Sequence, residues 1–135
     1  MCLDIIETKY PKGIRAGVGY KVFYSYDKRL FGDCFSVHGK ERPTNVWLKE
    51  KDYRENTYKG EKHIVNTHFE TYLYGFHVFL NLKDAQGWCL DDQTIKKIQY
   101  RKARASGYQV IGTWLTGNLK TIVAREIKIL DEEIK

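Results

Sequence analysis

The sequence lacks the patterns that mark several common classes of protein. Its three cysteines are widely spaced and form no CxxC pair, so no zinc ribbon is indicated and free thiols in a reducing compartment are expected. No apolar run approaches the roughly 20 residues that a membrane-spanning helix needs. The N-terminal stretch is too short and too acidic for a signal peptide. We therefore expect a cytoplasmic protein that does not enter a membrane.

The motifs of common catalytic and metal sites are also absent. None of the four histidines lies in an HExxH or HxH arrangement or at a ligand spacing from a cysteine. Neither GxxxxGK[ST] nor a GxGxxG that follows a strand occurs. The sequence therefore predicts no metal, no cofactor and no catalytic residue. A nucleophilic pair of Cys34 or Cys89 with His77 stays open, because such pairs form in space rather than in sequence.

Composition indicates one basic globular domain. The 135 residues suit a single domain with its own core, and no internal repeat, low-complexity segment or linker divides residues 1–135. Lys and Arg number 23 against 17 acidic residues, which favours a polyanionic partner such as a nucleotide or nucleic acid. Ten of the aromatic residues are tyrosines, which suit both strands and ligand-binding surfaces.

Hydrophobic patterning is mostly that of β-strands. Aromatic and β-branched residues predict a strand over 17–26, a turn at Asp27 and Lys28, and a return strand over 29–36. Further strands are predicted over 72–79, 94–105, 108–111 and 119–130, with shorter ones near 3–10, 47–48 and 63–67. Ser106 and Gly107 are predicted to form a turn.

One α-helix is predicted over about 81–91. Asn81 is a good N-cap, and Asp84 takes the capping-box position three residues later. The helix would bury Leu82, Ala85, Trp88 and Cys89 and end before the two aspartates that follow. The predicted fold class is α+β: a mainly antiparallel β-sheet with one definite helix, in a single compact domain.

The last predicted strand contains the most informative residue, Arg125. Strict alternation places Arg125 on the same face as Thr121, Val123, Ile127 and Ile129, and that face is otherwise apolar. A buried guanidinium keeps its charge, and it is costly to bury without a partner. Arg125 therefore either pairs with a carboxylate of the fold or binds an anion from outside.

Aromatic and arginine side chains together form the best candidate binding site. Phe76 and Phe79 lie on one predicted strand, Arg101 and Arg104 on another, and Arg125 on the last. Aromatic rings stack on base faces, and arginine pairs bidentately with phosphate. This combination is typical of a site for a nucleotide or another small phosphorylated ligand.

Three segments carry a resemblance to a known family. GYKVFYS, YGFHVFLNLKDAQGW and TIVAREIKIL resemble segments of small proteins carried by bacteriophages and prophages, and are similar to the Thoeris anti-defence sponge family. The resemblance implies a non-catalytic protein that sequesters cyclic ADP-ribose isomers, the immune signal of bacterial TIR-domain proteins, and releases them intact on denaturation. Some members also bind cyclic oligonucleotides at separate sites. The resemblance further implies a homo-oligomer built from dimers, with a hexamer as one form, in the host cytoplasm during infection.

The same resemblance suggests roles for individual residues. An aromatic ring of the GFHVF strand, Phe76 or Phe79, would stack on adenine, and Arg125 would hold the pyrophosphate. A second arginine near the preceding hairpin would be Arg101 or Arg104, with Gln109 as a competitor for that place.

Two other functions stay open. The cations of residues 96–104 could lie along phosphates, as in a nucleic-acid-binding protein, or could block a host defence complex. A nucleotide-processing enzyme would use His77 or Glu126 as general acid or base. The predicted position of Glu126, on the face opposite Arg125, counts against the enzyme.

Overall fold

The protein is described here by a computed structural model that covers residues 5–9, 15–31, 41–52, 64–66, 71–73, 75–110 and 118–132. The strands in these ranges are β1 (Ile5–Lys9), β2 (Gly17–Tyr26), β3 (Arg29–Phe31), β4 (Trp47–Lys49), β5 (Ile64–Asn66), β6 (Thr71–Leu73), β7 (Phe76–Phe79), β8 (Gln93–Val110) and β9 (Asn118–Ile129). The α-helix is α1 (Leu82–Trp88), and a short 3-10 helix spans Glu50–Asp52. All the strand pairs are antiparallel, which confirms the predicted fold class.

Four strands pair in a closed ring. β8 pairs with β2, β2 with β7, β7 with β9, and β9 with β8 again. The 18-residue length of β8 permits this closure, because its first half pairs with β2 while its later residues pair with β9 and β1. β3 extends the ring beside β2, and β4 extends it beside β9. β5 and β6 form a separate two-stranded sheet.

Apolar side chains fill the ring and the space beneath the helix. The interior cluster consists of Phe23, Leu30, Leu48, Phe76, Val78, Ile98, Tyr100, Ala103, Ile122, Ala124, Ile127 and Ile129. A second cluster lies under α1 and contains Val22, Phe79, Ala85 and Leu119. Burial of this apolar surface is the main source of stability for the sheet.

The predicted hairpin of β2 and β3 is confirmed. Tyr26 pairs with Arg29 across a two-residue turn, and Asp27 and Lys28 both have positive φ, 51° and 63°. This is the pattern of a type I′ turn, whose twist matches that of the flanking strands. The described part of β3 ends at Phe31, and the rest of the predicted return strand lies outside the described residues.

The predicted turn at Ser106 and Gly107 is wrong. Both residues continue β8, where they pair with Ile122 and Thr121 of β9. Ser106 and Gly107 are buried, so their small size serves close packing within a strand rather than a reversal of the chain. β8 therefore joins the two predicted strands over 94–105 and 108–111 into one.

The predicted strand over 72–79 is interrupted at Gly75. A Cβ atom at Gly75 would lie 2.6 Å from the carbonyl oxygen of Ala124 and 2.8 Å from Cγ1 of Val123. A glycine is therefore required where the chain passes close to β9, before β7 begins at Phe76.

The helix is shorter than predicted; it begins after Asn81 as predicted, but without a side-chain capping hydrogen bond. Asn81 is the N-cap, but its side chain donates to Oδ2 of Asp84 at 3.3 Å instead of capping the backbone. Oδ2 of Asp84 also accepts a hydrogen bond from the Lys120 N–H at 3.1 Å, which links α1 to β9. The helix ends at Trp88, with the Cys89 N–H donating to Ala85. Among the helix residues predicted to be buried, Ala85 is fully buried. Trp88 and Cys89 are partly buried and pack against the second cluster.

Several predicted features lie outside the described residues. These include most of the polar loop over 52–61, the cysteines Cys2 and Cys34, three of the histidines, and the last residues of the chain. No helix in the described part of the chain is long and apolar enough to cross a membrane.

Candidate functional site

β8 and β9 both change face at the same level of their pairing. Ala124 and Ile127 belong to the interior cluster although they are three residues apart, and the same holds for Tyr100 and Ala103 on β8. Regular alternation would place each of these pairs on opposite faces. In β8 the change occurs at Lys102, which has a left-handed φ of 57°. In β9 the change occurs between Ala124 and Ile127, a stretch that contains Arg125.

The predicted burial of Arg125 is wrong. Val123 and Ile127 are fully buried, but the Arg125 side chain is exposed, because the strand does not alternate strictly through this position. Arg125 makes no side-chain hydrogen bond or ion pair within the described residues. Of the two roles left open by the sequence, contact with an external anion is therefore the one that this part of the structure favours.

Glu126 is the buried carboxylate at this level. Its side chain is 3 % exposed, and its Oε1 accepts from Nε of Arg101 at 2.7 Å and lies 2.6 Å from Nη2 of the same residue. Nζ of Lys102 lies 2.8 Å from Oε2. Burial is the largest single influence on the pKa of Glu126 and raises it. The hydrogen bonds from Lys102 and Arg101, together with the charges of both residues, outweigh burial and lower the pKa of Glu126 below its ordinary value. Glu126 is therefore held as a carboxylate.

Trp47 covers one side of Arg101. β4 lies beside β9, so that Lys49 is opposite Glu126 and Trp47 is opposite Lys128. The Cζ atom of Arg101 lies 3.9 Å from the centroid of the Trp47 ring, the distance of a close cation–π contact. The Arg101 side chain is 40 % exposed and that of Lys102 is 47 % exposed.

These residues form what we call the cationic corner: Trp47, Arg101, Lys102, Arg125 and Glu126. It carries three cations and one carboxylate, which leaves an excess of two positive charges among the five residues. Lys102 and Arg125 each lie between the paired residues Arg101–Glu126 and Ala103–Ala124 of the β8–β9 register. The corner therefore presents two exposed cations at one level of the sheet, with a third beside them.

Arg104, the other candidate second arginine, lies in a different environment. Its Nη2 atom is 3.6 Å from Oε1 of Glu50, a side chain that is only 2 % exposed, and Arg104 itself is 15 % exposed. It occupies the shift in register between Ala103 and Ala105. Arg104 thus neutralises a second buried carboxylate, which makes it less available to a ligand than Arg101.

Phe76 and Phe79 both lie in the core. Phe76 packs in the interior cluster and Phe79 in the second cluster, where its ring centroid is 6.1 Å from that of Trp88. Phe79 is completely buried and Phe76 nearly so. Their burial argues against the predicted stacking on adenine and leaves Trp47 and Arg101 as the planar groups at the corner.

The residues considered for catalysis are placed unfavourably for it. His77 is buried, and its carbonyl oxygen accepts from Nζ of the buried Lys21 at 2.8 Å. Burial, followed by the charges of Asp92 and Asp91, raises the pKa of the Cys89 thiol, which is the opposite of what a nucleophilic cysteine needs. The described residues also contain no group of three or more His, Cys, Asp or Glu side chains suited to a metal ion.

Sequence reasoning missed Trp47 and the anchoring role of Glu126. Glu126 is separated from Arg101 by 25 residues, and Trp47, which contacts Arg101, is brought to this region by the pairing of β4 with β9. No local spacing indicates this arrangement, and only the pairing of charges across predicted strands could have suggested it.

Comparison of the chain with protein-family models, with curated proteins and with solved structures gives no match. Its likeness to the sponge family therefore stays a prediction from the sequence.

Proposed function

We propose that this protein is a non-catalytic binding protein that captures a small anionic nucleotide at the cationic corner. The observation that carries the proposal is that Arg125 is exposed and unpaired within the described residues and adjoins in sequence Glu126, the residue that Lys102 and Arg101 contact. The sequence resemblance supplies the identity of the ligand: a cyclic ADP-ribose isomer that serves as an immune signal, with cyclic oligonucleotides as further ligands. Sequestration of this signal would inhibit bacterial anti-phage defence in the host cytoplasm.

The protonation states of the site support binding rather than catalysis. A general acid or base is most effective with a pKa near the working pH. The two cations that hold Glu126 shift its pKa away from neutrality, and burial raises the pKa of the Cys89 thiol. Neither group is suited to proton transfer or nucleophilic attack near pH 7.

The distribution of charge on β8 supports a small ligand over a nucleic acid. The basic run contains Lys96, Lys97, Arg101, Lys102 and Arg104. Three of these five cations contact the carboxylates of Glu126 or Glu50. A continuous phosphate-binding strip needs cations that are not neutralised along its length, so the run is better suited to a local anion contact.

The Arg125→Ala variant tests the proposal. Because Arg125 is exposed and has no described side-chain partner, its removal should leave the free energy of unfolding within about 0.5 kcal/mol of the wild type. Loss of a charge-assisted hydrogen bond worth about 1.5–3 kcal/mol should weaken binding of the cyclic ADP-ribose isomer by about 10- to 150-fold. Isothermal titration calorimetry measures the affinity, and urea denaturation measures the stability.

Lys83→Ala is the matched control, since Lys83 is an exposed cation on α1 and its removal changes net charge equally. The proposal requires Lys83→Ala to bind as the wild type does. Equal weakening in both variants would mean that only the overall charge of the protein matters, and the corner would not be the site.

A further inference from the structure

We propose that Arg101 and Trp47 form a stacking platform for a nucleobase, with the Arg101 guanidinium as the surface that the base contacts. This inference rests on the proposed function and deepens it, because it separates the part of the corner that holds a planar ring from the part that holds phosphate. It assigns base contact to Arg101 and phosphate contact to Lys102 and Arg125.

The plane of the Arg101 guanidinium is fixed from two directions. Nε and Nη2 both approach Oε1 of Glu126, at 2.7 and 2.6 Å. These contacts anchor one edge of the group to a carboxylate that is itself buried in the sheet. The Trp47 ring lies 3.9 Å from Cζ and supports one face. The guanidinium is therefore held before any ligand arrives, which reduces the entropy lost on binding.

The Arg101 side chain keeps an exposed surface for a ligand. One face is covered by Trp47 and one edge is occupied by Glu126, yet 40 % of the side chain stays exposed. Part of the Arg101 side chain is therefore accessible to a ligand although Trp47 and Glu126 contact it. Guanidinium planes stack on aromatic rings, and bases in single-stranded RNA are recognised in this way.

The charges of the corner separate the two tasks. Arg101 has two of its donor groups committed to Glu126, whereas Arg125 has none committed within the described residues. A phosphate is best bound by cations with available donors. Arg125 has all of its donors available within the described residues, and the Lys102 ammonium has N–H groups besides the one that contacts Glu126. A flat base needs no such donors and gains from the supported plane of Arg101. The ligand class that fits both parts is a nucleoside phosphate.

The test compares adenosine diphosphate with inorganic pyrophosphate by isothermal titration calorimetry. The two probes share the phosphate part and differ in the nucleoside. Stacking of one base contributes about 1–3 kcal/mol, so the wild type should bind adenosine diphosphate about five- to 150-fold more tightly than pyrophosphate. Arg101→Lys keeps the positive charge but lacks the planar group, and should reduce this preference to about twofold or less.

Trp47→Leu is the second variant, because it removes the ring behind the guanidinium and changes no charge. It should also reduce the preference for adenosine diphosphate while pyrophosphate binding changes less. Circular dichroism checks that both variants are folded. The inference is overturned if either folded variant keeps the wild-type preference, if pyrophosphate binding falls as much as that of adenosine diphosphate, or if the wild type binds neither probe at millimolar concentration.

Failure of this inference and failure of the proposed function are distinguishable. A wild-type preference for adenosine diphosphate that depends on Arg101 and Trp47, with no binding of the cyclic signal, would support the platform and reject the proposed ligand. Binding of the cyclic signal that is unaffected by both variants would reject the platform alone.

Discussion

At the scale of single residues, the corner depends on the buried carboxylate of Glu126. It contacts Arg101 and Lys102, whereas the exposed Arg125 has no side-chain partner within the described residues. The sequence predicts Arg125 as the key residue but for a reason that is wrong, because strict alternation would bury it. The change of face at Lys102 and Arg125 depends on how two long strands bend around a closed ring, and no local pattern in either strand specifies this bend.

The lowered pKa of Glu126 makes a prediction about stability and pH. A carboxylate whose pKa is lower in the folded state stabilises the protein above its ordinary pKa, for which the reference value is 4.5. This stabilisation is lost as the pH falls through the lowered pKa of the folded state. Glu126→Gln should therefore reduce the free energy of unfolding by about 1–3 kcal/mol at pH 7, and the difference from the wild type should shrink as the solution is acidified well below pH 4.5.

Urea denaturation of both proteins across this pH range measures the effect. Glu132→Gln is the control, since Glu132 is exposed near the end of the described chain and should show almost no difference at any pH. If the difference in free energy of unfolding between Glu126→Gln and the wild type stays constant down to pH 2, the ionic role of Glu126 is contradicted.

At the scale of secondary-structure elements, local signals predict the elements that local chemistry determines. The β2–β3 hairpin follows from its aromatic strand and two-residue turn, and the helix start follows from Asn81. The continuity of β8 through Ser106 and Gly107 could not be predicted this way, because these residues are typical of turns. Pairing with β9 overrides that preference by burying both residues in the ladder.

Two glycines should respond in opposite ways to the same substitution. Gly75→Ala forces a Cβ atom to within 2.6 Å of a carbonyl oxygen in β9, so it should lower the free energy of unfolding by about 1–3 kcal/mol. Gly87 lies exposed within α1, where alanine is the better helix former. Gly87→Ala should therefore raise stability by up to about 1 kcal/mol. Urea denaturation of the two variants measures both changes in the free energy of unfolding. An unchanged free energy of unfolding for Gly75→Ala would mean that the chain at Gly75 does not approach β9 so closely.

At the scale of the whole molecule, packing bears on where the proposed ligand would bind. The interior of the four-stranded ring is occupied by large apolar side chains, among them Phe23, Val78 and Ile127, and all three are completely buried. A ligand at the cationic corner of one chain would stay largely open to water. A second copy of the chain that covers the corner would enclose it, which agrees with the expectation of an oligomer built from dimers.

Light scattering coupled to size-exclusion chromatography tests this expectation. With a chain mass of 15.9 kDa, the protein should elute with the mass of a dimer or of an even multiple such as a hexamer. A monomer mass at concentrations far above the affinity for the ligand would mean that one chain binds alone, and the enclosure by a second copy would be wrong.

The most direct test of the central claim is a capture-and-release measurement with the cyclic ADP-ribose isomer. The protein is mixed with the ligand, separated from free ligand, and then heated, and the released compound is analysed by mass spectrometry. We predict that the wild type and Lys83→Ala retain the ligand and return it chemically intact, whereas Arg125→Ala retains clearly less of it. Equal retention by Arg125→Ala, absence of retention by the wild type, or a chemically altered product would contradict the account.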